Sequence, residues 1–329
     1  MNMRTLGRTG LQVTELSLGG LFVSSLGGRG YDEAERAIHR ALDLGINYID
    51  TAPGYLDSEA VLGKALKGVS KPYIISTKLG GRPQPFNPKD KDALRRSVDE
   101  SLRLLGRDSI DILMVHEPDR PSQYDWWDDY ARFIGPVTEL LADLKRQGIM
   151  KFTGLGGTTV YEMMRIIETG QYDAVLTAFN YSLLWQEARR WVVPAAKKQN
   201  MGIIVGSPLH QGALARRYDD DVNAGAPWLS PPRREQFKKL YSLLDDLKVP
   251  IAELGLRFVL SNPDVSCVLM GARSSEEVEQ NVRAVNAGPL PADVLARIDE
   301  IANLVPYRPA CEPGWVPMGG KGYKGPGTL

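Results

Sequence analysis

The chain has 329 residues, 43% hydrophobic and 24% charged, an ordinary globular composition and long enough for two domains or one large α/β barrel. Its 40 basic and 40 acidic residues cancel, so no charge excess calls for nucleic acid or a membrane surface as partner. Two cysteines, Cys267 and Cys311, make neither a disulfide framework nor a zinc site, and no metal is expected.

The opening MNMRTLGRTG carries no apolar core of signal-peptide length, and no later run approaches transmembrane length. Cytoplasm is the expected setting. Residues 3–15, with Gly7 and Thr9-Gly10 between β-prone pieces, read as a hairpin. Leu16 to Gly20 is a first strand, followed by a loop through Gly27, Gly28 and Gly30. Asp32 is expected to cap a helix whose residues Ala34, Ala37, Ile38, Ala41 and Leu44 fall at helical spacing and which Gly45 stops.

Ile46, Tyr48 and Ile49 make a second strand that ends in Asp50 and turns through Thr51-Ala52-Pro53-Gly54 to Tyr55. A helix follows from Ser58 to about Leu66. Tyr73 to Thr77 is a strand ending in Lys78; a helix starts near Pro88; Ile110 to Val115 is a strand ending in His116. Pro136 to Gln147 reads as helix, Lys151–Leu155 and Ala174–Phe179 as strands around a helix at Tyr161–Glu168. Gly202–Val205 and Val265–Leu269 complete eight strands, with helices near Glu235, Ile251 and Ser275. An added helix, Ala292 to Leu304, precedes a glycine-rich tail expected to be partly mobile.

Eight apolar strands alternating with amphipathic helices predict a closed (β/α)8 TIM barrel, with an N-terminal β-hairpin and an added C-terminal helix, as one domain over residues 1–329. The competing fold, a doubly wound open sheet, usually carries G-x-G-x-x-G after its first strand, and the chain has none.

Barrel chemistry sits at the C-terminal ends of the strands. Asp50, Lys78 and His116 occupy the ends of strands two, three and four, and Tyr55 the loop after strand two. Each alone has a structural explanation: a helix cap, a snorkelling lysine, a core histidine, a loop packer. Together on one rim they are hard to explain as packing. A buried Asp50 needs a cation, and Lys78 supplies it. A nearby ammonium favours the phenolate and is expected to lower the Tyr55 pKa from its usual value near 10. His116 would orient a substrate oxygen. Such a site suits carbonyl reduction by hydride or its reverse, and since no side chain donates hydride, a cofactor is implied.

GINYIDTAPGY at 45–55, STK at 76–78 and ILMVH at 112–116 resemble the aldo-keto reductase superfamily, over nearly the whole chain. The resemblance implies a nicotinamide cofactor bound without a Rossmann domain, Tyr55 as general acid/base, Asp50 and Lys78 tuning it, and His116 orienting the carbonyl. It also implies a pyrophosphate loop at Ser207-Pro208-Leu209 through Gln211-Gly212, and an adenosine segment in GARSSEEVEQN, with Gly271, Arg273 and Ser274 at the phosphate or ribose and Gln280 and Asn281 near the adenine. Independently of the name, a helix N-terminus with free N–H groups and an arginine favours anions.

The pattern breaks at the nicotinamide. Where the family usually has Ser-Asn, a Gln and a stacking aromatic, this chain has Gly156-Gly157, Ala178 and Gly206. Asn180, two residues beyond Ala178 and so on the same strand face, is the candidate replacement. Arg273 would pair with a 2′-phosphate, whereas a carboxylate at Glu277 would repel one; NADP(H) and NAD(H) both stay open.

Two loops carry substrate clues: Tyr124, Trp126, Trp127 and Tyr130 among acids at 119–130, and Arg216, Arg217, Tyr218 and Trp228 at 213–232. Trp126, Trp127 and Trp228 suit a polyhydroxylated, carbohydrate-like substrate, or else pin the loops or form a subunit contact. Asp219-Asp220-Asp221 reads as a solvated loop face, Cys267 as strand core, and neither His39 nor His210 as catalytic. The expected protein is an NAD(P)-dependent oxidoreductase acting on a small carbonyl or alcohol substrate, of open oligomeric state. A cofactor-binding redox sensor with little turnover, and a lyase or isomerase using Lys78 as a Schiff base, are the alternatives.

Overall fold

The computed structural model describes residues 1–82 and 84–309; the glycine-rich tail and Cys311 lie outside the described residues. The chain begins with a two-stranded hairpin, β1 (Met3–Thr5) and β2 (Gln12–Thr14), paired antiparallel. The repeating unit then runs β3 (Leu16–Gly19), α1 (Tyr31–Asp43), β4 (Tyr48–Asp50), α2 (Ser58–Ala65), β5 (Ile74–Leu79), α3 (Lys91–Leu105), β6 (Ile110–His116) and α4 (Pro136–Arg146). It continues with β7 (Met150–Gly157), α5 (Tyr161–Glu168), β8 (Ala174–Ala178), α6 (Val192–Lys198) and β9 (Gly202–Gly206). After α7 (Asp219–Ala224), α8 (Pro231–Leu247) and α9 (Ile251–Leu260) come β10 (Cys267–Gly271), α10 (Ser275–Asn286) and α11 (Ala292–Ala302).

β3 to β10 pair in parallel and in chain order, and β10 closes on β3, giving a (β/α)8 barrel with the expected hairpin and extra helix. The strands read as continuous apolar runs because both faces are buried. One face of each strand packs on the helices, through Ile49, Leu113, Val115, Val175, Ile203, Val205 and Val268. The other fills the bore, through Tyr48, Ile112, Met114, Ala174, Leu176, Ile204, Cys267 and Leu269. Cys267 is strand core, as expected. Leu6 and Val13 of the hairpin join this inner cluster and stop the N-terminal end of the bore.

Local corrections have simple causes. Gly30, not Asp32, is the N-cap of α1; Asp32 and Glu33 sit in the first turn, where they face the positive end of the helix dipole. α3 starts at Lys91 rather than Pro88 because the Asp90 side chain accepts the Ala93 N–H at 2.9 Å. Asp219-Asp220-Asp221 is the first turn of α7 rather than loop. None of the described helices is long and apolar enough to cross a membrane.

Candidate active site

Along β4 and β5 the inward positions alternate with the pleat, so Tyr48 and Asp50 face the bore beside Ser76 and Lys78. At the upper end the bore lining changes from hydrocarbon to these polar groups. Lys78 Nζ donates to Asp50 Oδ2 at 2.7 Å and to the Thr51 carbonyl at 2.8 Å. Asp50 Oδ1 accepts from Ser76 Oγ at 2.6 Å, and Ser76 Oγ is 2.8 Å from the Tyr48 hydroxyl. Asp50 and Lys78 are each 1% exposed. A pair sealed this completely needs further hydrogen bonds to offset its lost hydration, and the Ser76 hydroxyl and Thr51 carbonyl supply them. Burial pulls the Lys78 pKa down, but Asp50 and Tyr55 more than offset it and the net displacement is upward, so the ammonium stays charged. Ser76 and Tyr48 were not singled out from the sequence; their two-residue spacing from Lys78 and Asp50 was the available signal.

Tyr55 lies in the turn after β4, its ring centre 4.8 Å from Lys78 Nζ, close enough for the ammonium to act on the phenol. Its pKa moves up, not down as expected. Burial pushes it up most strongly, Lys78 pulls it back, and Asp50 pushes it up again. Asp50 cancels much of the lysine's field at the phenol, so desolvation wins. His116, at the end of β6, stands edge-on to Tyr55 with ring centres 5.9 Å apart. Burial first, and Lys78 second, push its pKa down to about 3, so the imidazole is neutral at physiological pH. Its Nδ1 has no partner among the described residues. The four residues expected to act together therefore share one rim.

The residue after His116 was also missed. Glu117 has φ 51° and its N–H bonds the Gly156 carbonyl at 2.7 Å. Its Oε2 accepts from Thr158 Oγ1 at 2.7 Å, and burial pushes its pKa up to about 7. Nothing in a one-letter reading announces a left-handed glutamate.

The candidate cofactor residues lie in two loops on the same end of the barrel. After β9, Ser207 (φ 51°), His210 (φ 47°), Gln211 (φ 51°) and Gly212 (φ 95°) are left-handed, and the His210 and Gly212 N–H groups hold the loop in shape by bonding the Ser207 and Leu209 carbonyls at 2.9 and 3.0 Å. Leu209 lies within this loop, and Gln211 Oε1 is buried without a partner among the described residues. After β10, Gly271 leads to Arg273 and to Ser274, whose side chain caps α10 by accepting the Glu277 N–H at 3.4 Å. Arg273 is held by Glu277 at 2.8 Å through Nη2 and 3.2 Å through Nε. Gln280 is exposed, and Asn281 Nδ2 is 3.6 Å from Met270 Sδ. These groups fit the anionic end of a dinucleotide.

At the other end the positions without side chains are close-packed. A Cβ on Gly156 would lie 3.3 Å from Lys78 Cε, and one on Gly157 2.0 Å from Met163 Cε and 2.5 Å from Asp119 Oδ1. Asp119 Oδ2 accepts the N–H groups of Thr158 and Thr159 at 3.0 and 2.5 Å, so a carboxylate organises the loop where a polar clamp would stand. Asn180 lies beyond the end of β8, and Phe179 between them has φ 66°, so strand alternation does not carry to it. Both Asn180 amide hydrogens go to backbone carbonyls, of Thr158 at 2.7 Å and Ala178 at 2.9 Å.

The tryptophans expected at the substrate are buried. Trp126 donates Nε1–H to the His116 carbonyl at 3.0 Å, Trp127 to the Pro118 carbonyl at 2.9 Å, and Trp228 to Asp221 Oδ2 at 2.8 Å. Their rings pack in the core and pin the loops, the alternative reading of the same residues. His210 is also structural, stacked on Trp185 at 3.7 Å, and His39 bonds the Ala65 carbonyl at 2.7 Å.

The model of the aldo/keto reductase family matches residues 15–303. Pyridoxal 4-dehydrogenase of Microbacterium luteolum is 32% identical over 85% of this chain and 91% of its own length. L-galactose dehydrogenase of Arabidopsis thaliana is 30% identical over 87% of this chain and 88% of its own. Among solved structures, the holo form of an aldo-keto reductase from Bacillus halodurans superposes with a TM-score of 0.76 at 27% identity, over 95% of this chain and all of that one.

Proposed function

The chain belongs to the aldo/keto reductase family, and from that premise we propose that it transfers hydride between NAD(H) and a carbonyl or alcohol carbon of a small hydroxylated molecule, with Tyr55 exchanging the proton. Family and dehydrogenase relatives alike make it an oxidoreductase. The observation that carries the finer reading is the sealed Asp50–Lys78 pair directed at Tyr55.

When bound, the nicotinamide supplies or takes the hydride. Ser207, Leu209, Gln211 and Gly212 would hold its pyrophosphate, and Gly271, Arg273, Ser274, Gln280 and Asn281 its adenosine half. Asn180 contributes to the nicotinamide end only through its acceptor Oδ1, since its N–H groups are engaged. In reduction Tyr55 hands its proton to the substrate oxygen; the Lys78 ammonium steadies the phenolate left behind, and Asp50 keeps that ammonium charged. Neutral His116 offers a hydrogen bond to the same oxygen. In oxidation the proton returns along the same path.

NAD(H) is preferred to NADP(H) because Arg273 is already paired with Glu277. A 2′-phosphate would have to break that pair against a facing carboxylate. The substrate class is supported by relatives named for L-galactose and pyridoxal. A cytoplasmic setting completes the proposal.

Fluorescence titration with NADH and NADPH, followed by turnover on aldoses, polyols and simple aldehydes, tests it. Tight NADH binding with turnover is the expected result. Binding without turnover would overturn the enzyme reading in favour of a redox-sensing one.

A further inference from the structure

Of the acids near the rim, most are already committed. Asp119 gives Oδ2 to the Thr158 and Thr159 N–H groups, and its other oxygen, Oδ1, is unpartnered among the described residues but sealed from solvent and so out of a ligand's reach. Asp125 accepts the Tyr130 hydroxyl at 2.5 Å, Asp128 meets Lys89 at 2.9 Å, and Asp129 meets Arg132 at 2.8 Å. Glu117 differs. Its side chain is 12% exposed and its Oε2 takes the Thr158 hydroxyl at 2.7 Å, with Arg120 Nη1 at 3.8 Å. Its Oε1 receives no hydrogen bond from a described residue and is not sealed from solvent.

Three further observations set Glu117 beside the chemistry. Glu117 follows His116 directly, and its N–H is held by Gly156, whose α-carbon faces the Lys78 side chain. Its carboxyl lies within electrostatic reach of both Lys78 and Tyr55. The left-handed backbone at φ 51°, unusual for a non-glycine residue, is held in place by that N–H bond and the Thr158 anchor. An oxygen that is reachable from solvent and otherwise uncommitted is free to accept a hydrogen bond from a ligand.

We infer that Glu117 is a specificity-determining residue whose Oε1 accepts a hydroxyl hydrogen from a substrate seated against Tyr55 and His116, so that the site takes hydroxylated carbonyl compounds and polyols ahead of their deoxy counterparts. The inference rests on the reading under Proposed function and narrows it. The buried tryptophans leave hydroxyl recognition to such a polar group. A site built to hydrogen-bond a hydroxyl rejects the analogue lacking it more strongly than an apolar pocket discriminates by size.

Two measurements on the full chain test it. The first compares kcat/KM for glyceraldehyde and propanal with NADH in wild type, Glu117→Gln and Glu117→Leu. Wild type is expected to favour glyceraldehyde, with that ratio falling about tenfold in Gln and further in Leu, since charge-assisted hydrogen bonds are the stronger ones. The second compares binding of propane-1,2-diol and 1-propanol by saturation-transfer NMR, which needs no turnover. A diol preference lost in both variants supports the role. No diol preference in wild type, or its survival in the variants, overturns it. A diol preference lost in the variants of a chain that turns over neither aldehyde supports Glu117's role and counts against the oxidoreductase reading.

Discussion

Lys78 Nζ and Asp50 Oδ2 lie 2.7 Å apart with both side chains sealed from water. The pair is an electrostatic unit whose field reaches the Tyr55 phenol and, with it, His116 and Glu117. Breaking it from one side leaves an uncompensated charge, which typically costs about 3–5 kcal/mol. Asp50→Asn is expected to lower the urea midpoint accordingly and to depress the Lys78 pKa, because the larger of the two influences opposing burial is removed. Denaturation within about 1 kcal/mol of wild type would remove the pair from the account of stability.

Tyr55→Phe is expected to lower turnover by about 10²–10⁴-fold, the usual contribution of a positioned acid or base, with NADH affinity unchanged. The pH profiles follow from the upward displacement of the phenol. Carbonyl reduction needs the protonated phenol, so Tyr55 itself limits the rate only above pH 10. Alcohol oxidation needs the phenolate and rises across the same range. Any limb near pH 7 belongs to Glu117 and is expected to vanish in Glu117→Gln. His116, neutral above about pH 3, adds no acid limb near neutrality. Stopped-flow rates in both directions would check these limbs.

Glu277→Gln is expected to release Arg273 and strengthen NADPH binding by about tenfold relative to NADH, since a repelling charge is removed and a guanidinium is freed for a phosphate. Parallel fluorescence titrations read this directly. An unchanged NADPH affinity would mean that the ribose lies elsewhere.

Glu117 carries a pH signature in stability. Its carboxyl titrates at about 7 in the fold against an ordinary 4.5. The folded state binds this proton more tightly than the unfolded one, so the group favours folding as pH falls and opposes it above 7. The strain at pH 8 is about 3 kcal/mol as an upper bound. Glu117→Gln should therefore be more stable than wild type at pH 8 and indistinguishable from it below pH 4.5. Thermal melts at the two pH values test the sign.

The barrel was legible because strands buried on both faces read as unbroken apolar runs between amphipathic helices. Asp50, Lys78 and His116 were legible because each breaks such a run at its end. What escaped depended on geometry beyond periodicity. α6 is seven residues with Pro194 near its start, too short for a helical pattern to declare itself. The direction of the Tyr55 shift required weighing burial against a lysine already neutralised by Asp50. Trp126 and Trp127 in an acidic loop suit a sugar face or a loop anchor equally, and only their indole partners decide. Asn180 was misplaced onto the strand face because Phe179 turns left-handed between them.

The hairpin that stops the bore has a consequence for assembly. Arg4 donates to the carbonyls of Leu260 at 2.7 Å and Val265 at 2.8 Å, and Arg8 N–H to that of Asn200 at 2.6 Å. β3 likewise waits for β10 to cover its second edge. During synthesis the hairpin and β3 thus leave the ribosome long before the neighbours they will pair with. Such long loop closures slow folding, and until residue 267 has emerged β3 is an open template for any passing strand, a hazard that dilution or a chaperone must contain.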